Sequence, residues 1–162
     1  MNKSTKSFIQ SCASVLAILI LVGVFGYVIS QVGSQTNNVS ETQFRKLAKK
    51  FEEHALNAHW KWRAQKPTSI IMFIHYDKNG NEIDRAPVTM NDLGWPAGKN
   101  TAEGCQKIWS ALLAIPLSVD GYKVRADFVS EGDDEDDQIW CQYSLSSGPY
   151  FNYYPRKGMV TN

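Results

Sequence analysis

Charge is missing from residues 7–40: no aspartate, glutamate, lysine or arginine stands between Lys6 and Glu41. The local signatures of chemistry are missing as well. The chain has no nucleophile elbow, no phosphate-cradling glycine loop and no carboxylate pair in a cleft-like context, so it is read as a non-enzyme that holds no cofactor. Imbalance of charge is also absent. Lys and Arg number 17 against 16 Asp and Glu, a net charge of +1, and nothing in that calls for nucleic acid as a partner. A length of 162 residues leaves room for one anchor segment and one small globular domain, not two.

What is present begins with residues 8–29, one uncharged apolar run preceded by Lys3 and Lys6. At about 1.5 Å per residue it makes roughly 33 Å of helix, enough to cross a bilayer's hydrocarbon core. Its Leu, Ile, Val and Phe side chains each favour insertion by about 0.3–0.6 kcal/mol, which sums to roughly 3–7 kcal/mol as an upper bound. A single-span anchor is therefore expected over 8–29. Both lysines precede it, which places residues 1–7 in the cytoplasm, a spacer at 30–39 and a folded domain at 40–162 on the far, periplasmic side of an inner membrane. A cleaved signal peptide competes for the same residues, with Val28 and Ser30 as the small pair before the cut. Against it, such signals carry an apolar region of about 7–15 residues, shorter than the run from Cys12 to Ile29. Ala13 with Ala17 and Gly26 with Ser30 are small residues four apart, which suits either plain lipid contact or close approach of a second copy.

The exported part reads as α+β. Residues 31–39 are polar and turn-prone, and Ser40 with Gln43 has the form of a capping box opening a helix; were the spacer itself helical, anchor and amphipathic helix would form a single long stalk, which the sequence leaves open. Phe44, Leu47, Ala48, Phe51, Ala55, Ala58 and Trp62 then recur by three and four, one apolar side of a long amphipathic helix that must stop before Pro67. Residues 70–76 make a strand with little alternation, expected to be buried on both faces, and residues 83–88 return across a turn at 77–81. A loop at 91–100 holds Trp95 against an edge of the core. Asn100 and Glu103 bracket the first turn of a short helix that ends at Pro116. Tyr122, Val124, Ala126 and Phe128 alternate with polar residues, as do Ile139, Cys141, Tyr143 and Leu145, giving an antiparallel hairpin with an acidic tip at 131–137. Residues 150–154 add one more strand. The expected sum is an antiparallel sheet of four to five strands, pilin-like in outline, with the long helix and one further helix.

Cys12 lies inside the apolar run, which leaves Cys105 and Cys141 to pair in an oxidising compartment; closing that loop stabilises by roughly 3–4 kcal/mol. His54 and His59 are five apart, a spacing that does not put two ligands on one side of a helix, and His75 sits on a strand, so no metal site is read there. The acidic run lacks the alternating ligands and sharp-turn glycine of a calcium loop and reads as a solvated tip. Lys46, Lys49 and Lys50, within a wider basic cluster on the long helix, form a candidate contact face for an acidic partner, or else keep the helix soluble. Five tryptophans exceed what so small a core needs, and Trp60 and Trp62 are the further candidates for partner contact.

The stretches AHWKWRAQ, HYD, MNDLGWP, EGCQKIWSALL, WCQYSL and GPYFNYY, behind a short tail and one anchor, resemble the MshF family of biogenesis proteins of the mannose-sensitive haemagglutinin type IV pilus. The likeness covers nearly the whole chain and implies an accessory role in pilus assembly at the inner membrane, with other pilus-assembly or pilin proteins as partners and no catalytic residues. A minor pilin-like subunit is the alternative. A processed pilin is similar in having glycine before the mature apolar helix and glutamate five residues in, whereas here Ser7 precedes Phe8 and the fifth residue is Cys12. A membrane-anchored binding module or enzyme of unknown substrate is the remaining class.

Overall fold

The structure is a computed structural model that describes the backbone of residues 3–65, 68–131, 138–146 and 148–162, and before Ser40 the side chains of residues 18–28. The chain divides into two compact units, Met1–Val39 and Ser40–Asn162.

Helix α1 runs Lys3–Ala64. The polar residues 31–39, expected as a turn-prone spacer, are helical, and Ser40 is a buried interior residue of the helix, not its N-cap. The correction has a simple cause. No proline precedes Pro67 and only Gly33 interrupts that polar stretch. Ser, Asn, Thr and Gln each cost about 0.5 kcal/mol relative to Ala, too little to stop a helix already nucleated on both sides.

In the first unit the expected anchor falls partly on side chains outside the described residues. Among the described residues no helix is long and apolar enough to cross a membrane. Those that are described, residues 18–28, are all exposed, with Ile18, Leu19, Val22, Phe25 and Tyr27 each 60% exposed or more.

The second unit packs the last turns of α1 and a short helix, α2 (Ala102–Leu113), on sheet. Strands β1 (Ile70–Tyr76) and β2 (Glu82–Thr89) form a separate two-stranded antiparallel sheet. Strands β3 (Ser118–Val119), β4 (Tyr122–Glu131), β5 (Gln138–Leu145), β6 (Tyr150–Tyr154) and β7 (Met159–Thr161) form a five-stranded antiparallel sheet in sequential order. The first hairpin thus stands apart from the main sheet, whose five strands include two short ones, β3 and β7, that carry too few residues to show a period. The acidic tip lies in large part outside the described residues.

Alternation decides what is inside. Val124, Ala126, Cys141, Tyr143, Leu145, Phe151 and Tyr153 all point inward from β4, β5 and β6. Phe51 of α1, with no exposed surface, sits among them with ring centroids 5.1 Å from Tyr153, 5.3 Å from Tyr143, 5.6 Å from Phe151 and 6.4 Å from Trp109. Such tilted and edge-on pairs add about 0.5–1.5 kcal/mol each beyond area burial. Strand β1 alternates after all: Ile71, Phe73 and His75 are buried while Ile70, Met72 and Tyr76 are exposed. A two-stranded sheet covered on one side has only one face to bury, so the unbroken apolar run misleads about its second face.

Candidate functional site

Helix α2 sets the geometry of the site. Thr101, one residue beyond the expected Asn100, is its N-cap and accepts from the Gly104 amide at 3.1 Å. At the other end Ala114 turns into the left-handed region at φ 54° and its N–H reaches Ser110 O. The last carbonyls of any helix lack partners within it. Here two of them are met from outside: His75 of β1 bonds Ala111 O at 2.9 Å and His54 of α1 bonds Leu112 O at 2.5 Å.

A carbonyl only accepts, so the proton in these bonds is on Nε2 of His75 and Nδ1 of His54. In a neutral imidazole the nitrogen outside such a bond is an acceptor. The two rings lie 5.7 Å apart, and Phe73 packs against both. Burial lowers the His54 pKa below its usual value, with the hydrogen bond to Leu112 opposing and Lys50 adding to the depression.

Both imidazoles line a cleft of about 480 Å³ between α1, β1 and the end of α2. On the α1 side its wall is Lys50, His54, Asn57 and Lys61, spaced four, three and four residues, which places them on one line along the helix. Phe73, Leu113 and Ile115 form an apolar floor, and among the described lining residues there is no carboxylate. Lys61 Nζ donates to Met72 O at 2.6 Å, which ties the helix to the outer edge of β1 and leaves two of its three protons for another acceptor. Cationic and apolar groups side by side suit an anion carried on an apolar body.

The residues singled out from sequence separate into different places. Cys105 and Cys141 form a buried disulfide between α2 and β5, with Cα atoms 5.5 Å apart. Of the lysines, Lys50 reaches the cleft, while Lys46 and Lys49 are exposed and do not line it. Trp60 is 55% exposed with the Arg63 guanidinium 5.5 Å over its ring. Trp62 is a packing residue. Its Nε1 donates to Thr68 O and its ring covers Gly94, where an added Cβ would collide with it. The remaining tryptophans are also committed to packing: Trp109 is buried, Trp95 stacks on His59 at 4.0 Å, and Trp140 tilts against Tyr154. Sequence reasoning does not mark His75 or Asn57 as contact residues and holds Lys61 only within the wider basic cluster of the long helix; the helical spacing that joins Lys50 to Lys61 is the signal that points to part of this wall. Among the described residues no three His, Cys, Asp or Glu side chains cluster to hold a metal ion.

No family model, no curated protein and no solved structure matches this chain.

Proposed function

We propose that this chain is a single-span inner-membrane accessory protein of type IV pilus assembly, with a cytoplasmic amino terminus and a periplasmic α+β head that works by binding other proteins. One observation carries the membrane part: residues 18–28 of α1 present uncharged, mostly large apolar side chains on every side of the helix, all exposed. A helix without a polar face has no stable boundary with water, so lipid is the environment that suits it. The pilus part rests on the resemblance of the sequence to the MshF family. The head supports a binding role through its cleft of basic and apolar groups.

Two experiments test this reading. Alkaline carbonate washing of membranes should leave the chain in the pellet, and a reporter enzyme active only in the periplasm should work when fused after Asn162; release into the wash sinks the anchor. Deleting the gene from its native cell should lower pilus number, and restoring it should return them; unchanged piliation sinks the assembly role.

A minor pilin-like subunit is the second reading, favoured by one feature of the fold: the carboxyl-terminal turns of α1 pack across an antiparallel sheet that carries a disulfide. Treatment with prepilin peptidase separates the two, since a pilin would shorten and an accessory protein would not.

A further inference from the structure

We propose that the cleft between α1, β1 and the carboxyl end of α2 is a docking site for an extended peptide segment of a partner protein, about five residues long, acidic at both ends and apolar in the middle. The proposal rests on the reading that the head works by protein contact and supplies the chemistry of that partner. It does not depend on the anchor.

The dimensions come from the wall. Lys50 and Lys61 stand at the two ends of the line on α1, eleven residues apart, and at about 1.5 Å rise per residue their backbones are roughly 16 Å apart. The first and fifth residues of an extended chain stand about 13 Å apart, at roughly 3.3 Å per residue, and the reach of the lysine and carboxylate side chains covers the remaining few Å. The ammonium groups therefore match carboxylates near the two ends of such a segment. Between them, Phe73, Leu113 and Ile115 offer an apolar floor, and Asn57 and the imidazoles of His54 and His75 offer polar groups. Two carboxylates interact with this wall from outside the cleft lining: Glu53 raises the His54 pKa slightly, and Glu82, paired with Arg85, has its own pKa lowered in part by Lys61.

Other occupants fit less well. A metal ion would meet two imidazoles between two ammonium groups, with no third His, Cys, Asp or Glu beside them among the described residues. A fatty acid has one carboxylate, so its tail would have to run toward the second lysine. A peptide with a charge at each end satisfies both lysines and also uses the floor.

The test exploits the fact that the chain has three histidines, two in the cleft and one, His59, stacked on Trp95 elsewhere. Full-length protein with isotope-labelled histidine, in neutral phosphatidylcholine nanodiscs, is titrated with acetyl-Asp-Ile-Phe-Leu-Glu-amide. The ring resonances of His54 and His75 should move in a saturable way while those of His59 stay fixed. The same peptide with Asn and Gln in place of its two acids should bind about tenfold more weakly, as should the Lys50→Gln, Lys61→Gln double variant toward the acidic peptide. An unchanged His59 signal in that variant certifies its fold. Equal binding of the acidic and amide peptides overturns the proposal. So does an absence of His54 and His75 shifts at millimolar peptide, or saturable shifts with sodium decanoate but not with the peptide. Failure to enter nanodiscs would count against the anchor alone, and the titration would then decide the fate of the cleft equally well in plain buffer.

Discussion

Replacing both Cys105 and Cys141 by alanine should cost the folded head about 4 kcal/mol. The bond closes a loop with a sequence separation of 36. In the chain-entropy model that loop restricts the unfolded chain by roughly 13 cal/mol/K, or about 4 kcal/mol at 25 °C. Both cysteines are buried where α2 meets β5, so the double variant also loses sulfur packing against that seam. Against a usual domain stability of about 5–15 kcal/mol, the loss brings the head close to unfolding. With a urea slope of about 2 kcal/mol/M, the midpoint followed by tryptophan emission should fall by about 2 M. The same bond reports on location, since such cross-links persist in oxidising compartments and are rare in the cytosol. Alkylating intact cells without a reductant should leave Cys105 and Cys141 unmodified. A midpoint shift under about 0.3 M would refute the energetic argument, and labelling of both thiols would refute the periplasmic placement.

Phe51→Ala should lose about 4 kcal/mol, within the range of about 3–5 kcal/mol for emptying a phenylalanine site, because four aromatic rings surround it. Leu56→Ala on an exposed side of the same helix should change urea stability by less than about 0.5 kcal/mol; similar losses at both sites would contradict the packing described. Gly94→Ala should cost at least about 2 kcal/mol, since Gly94 has φ +78° and its open side is filled by the Trp62 ring. A normal melting temperature in that variant would count against the contact. His54 gives the pH dependence. Its pKa is lowered in the folded state, so between that value and the ordinary 6.5 the unfolded chain binds more protons. Stability should be complete above about pH 6.5 and decline as pH falls through that window. The decline should shrink in His54→Gln, which keeps a side-chain donor for Leu112 O; an equal slope in both proteins would show that another group titrates.

How far the fold is legible follows from which residues have a period to read. The inward side of α1 is legible because Phe44, Ala48, Phe51, Ala55 and Ala58 recur at helical spacing, and all are buried. The hairpin of β4 and β5 is legible for the same reason, with Cys141 on its inward face. The continuity of α1 through residues 31–39 is left open by the sequence, because Ser, Asn and Thr are favoured at caps and turns yet tolerated inside a helix. The separation of β1 and β2 from the main sheet is not legible. Strand period reports which face is buried, while sheet membership depends on what covers each edge.

The cleft is hidden for a related reason. Sequence spacing asks whether two side chains on one element can meet, and by that rule His54 and His59 do not; they bond to Leu112 O and Gly94 O in different parts of the head. The partner His54 does find is His75, 21 residues away on another element, and what brings them together is neither residue's type. It is the end of α2. Once Pro116 and the left-handed Ala114 stop that helix, two of its free carbonyls need donors, and imidazoles from α1 and β1 that line the lysine-flanked cleft supply them. A histidine that caps a helix from a distance leaves no local spacing to detect. In a chain with a basic cluster along one helix, the useful question is therefore which helix end it faces. For Lys50 and Lys61 that end is the carboxyl end of α2, whose partial negative charge favours the cationic wall in the absence of a ligand. An acidic segment entering the cleft must compete with that pre-existing attraction, which predicts binding that weakens steeply with salt while the head itself stays folded.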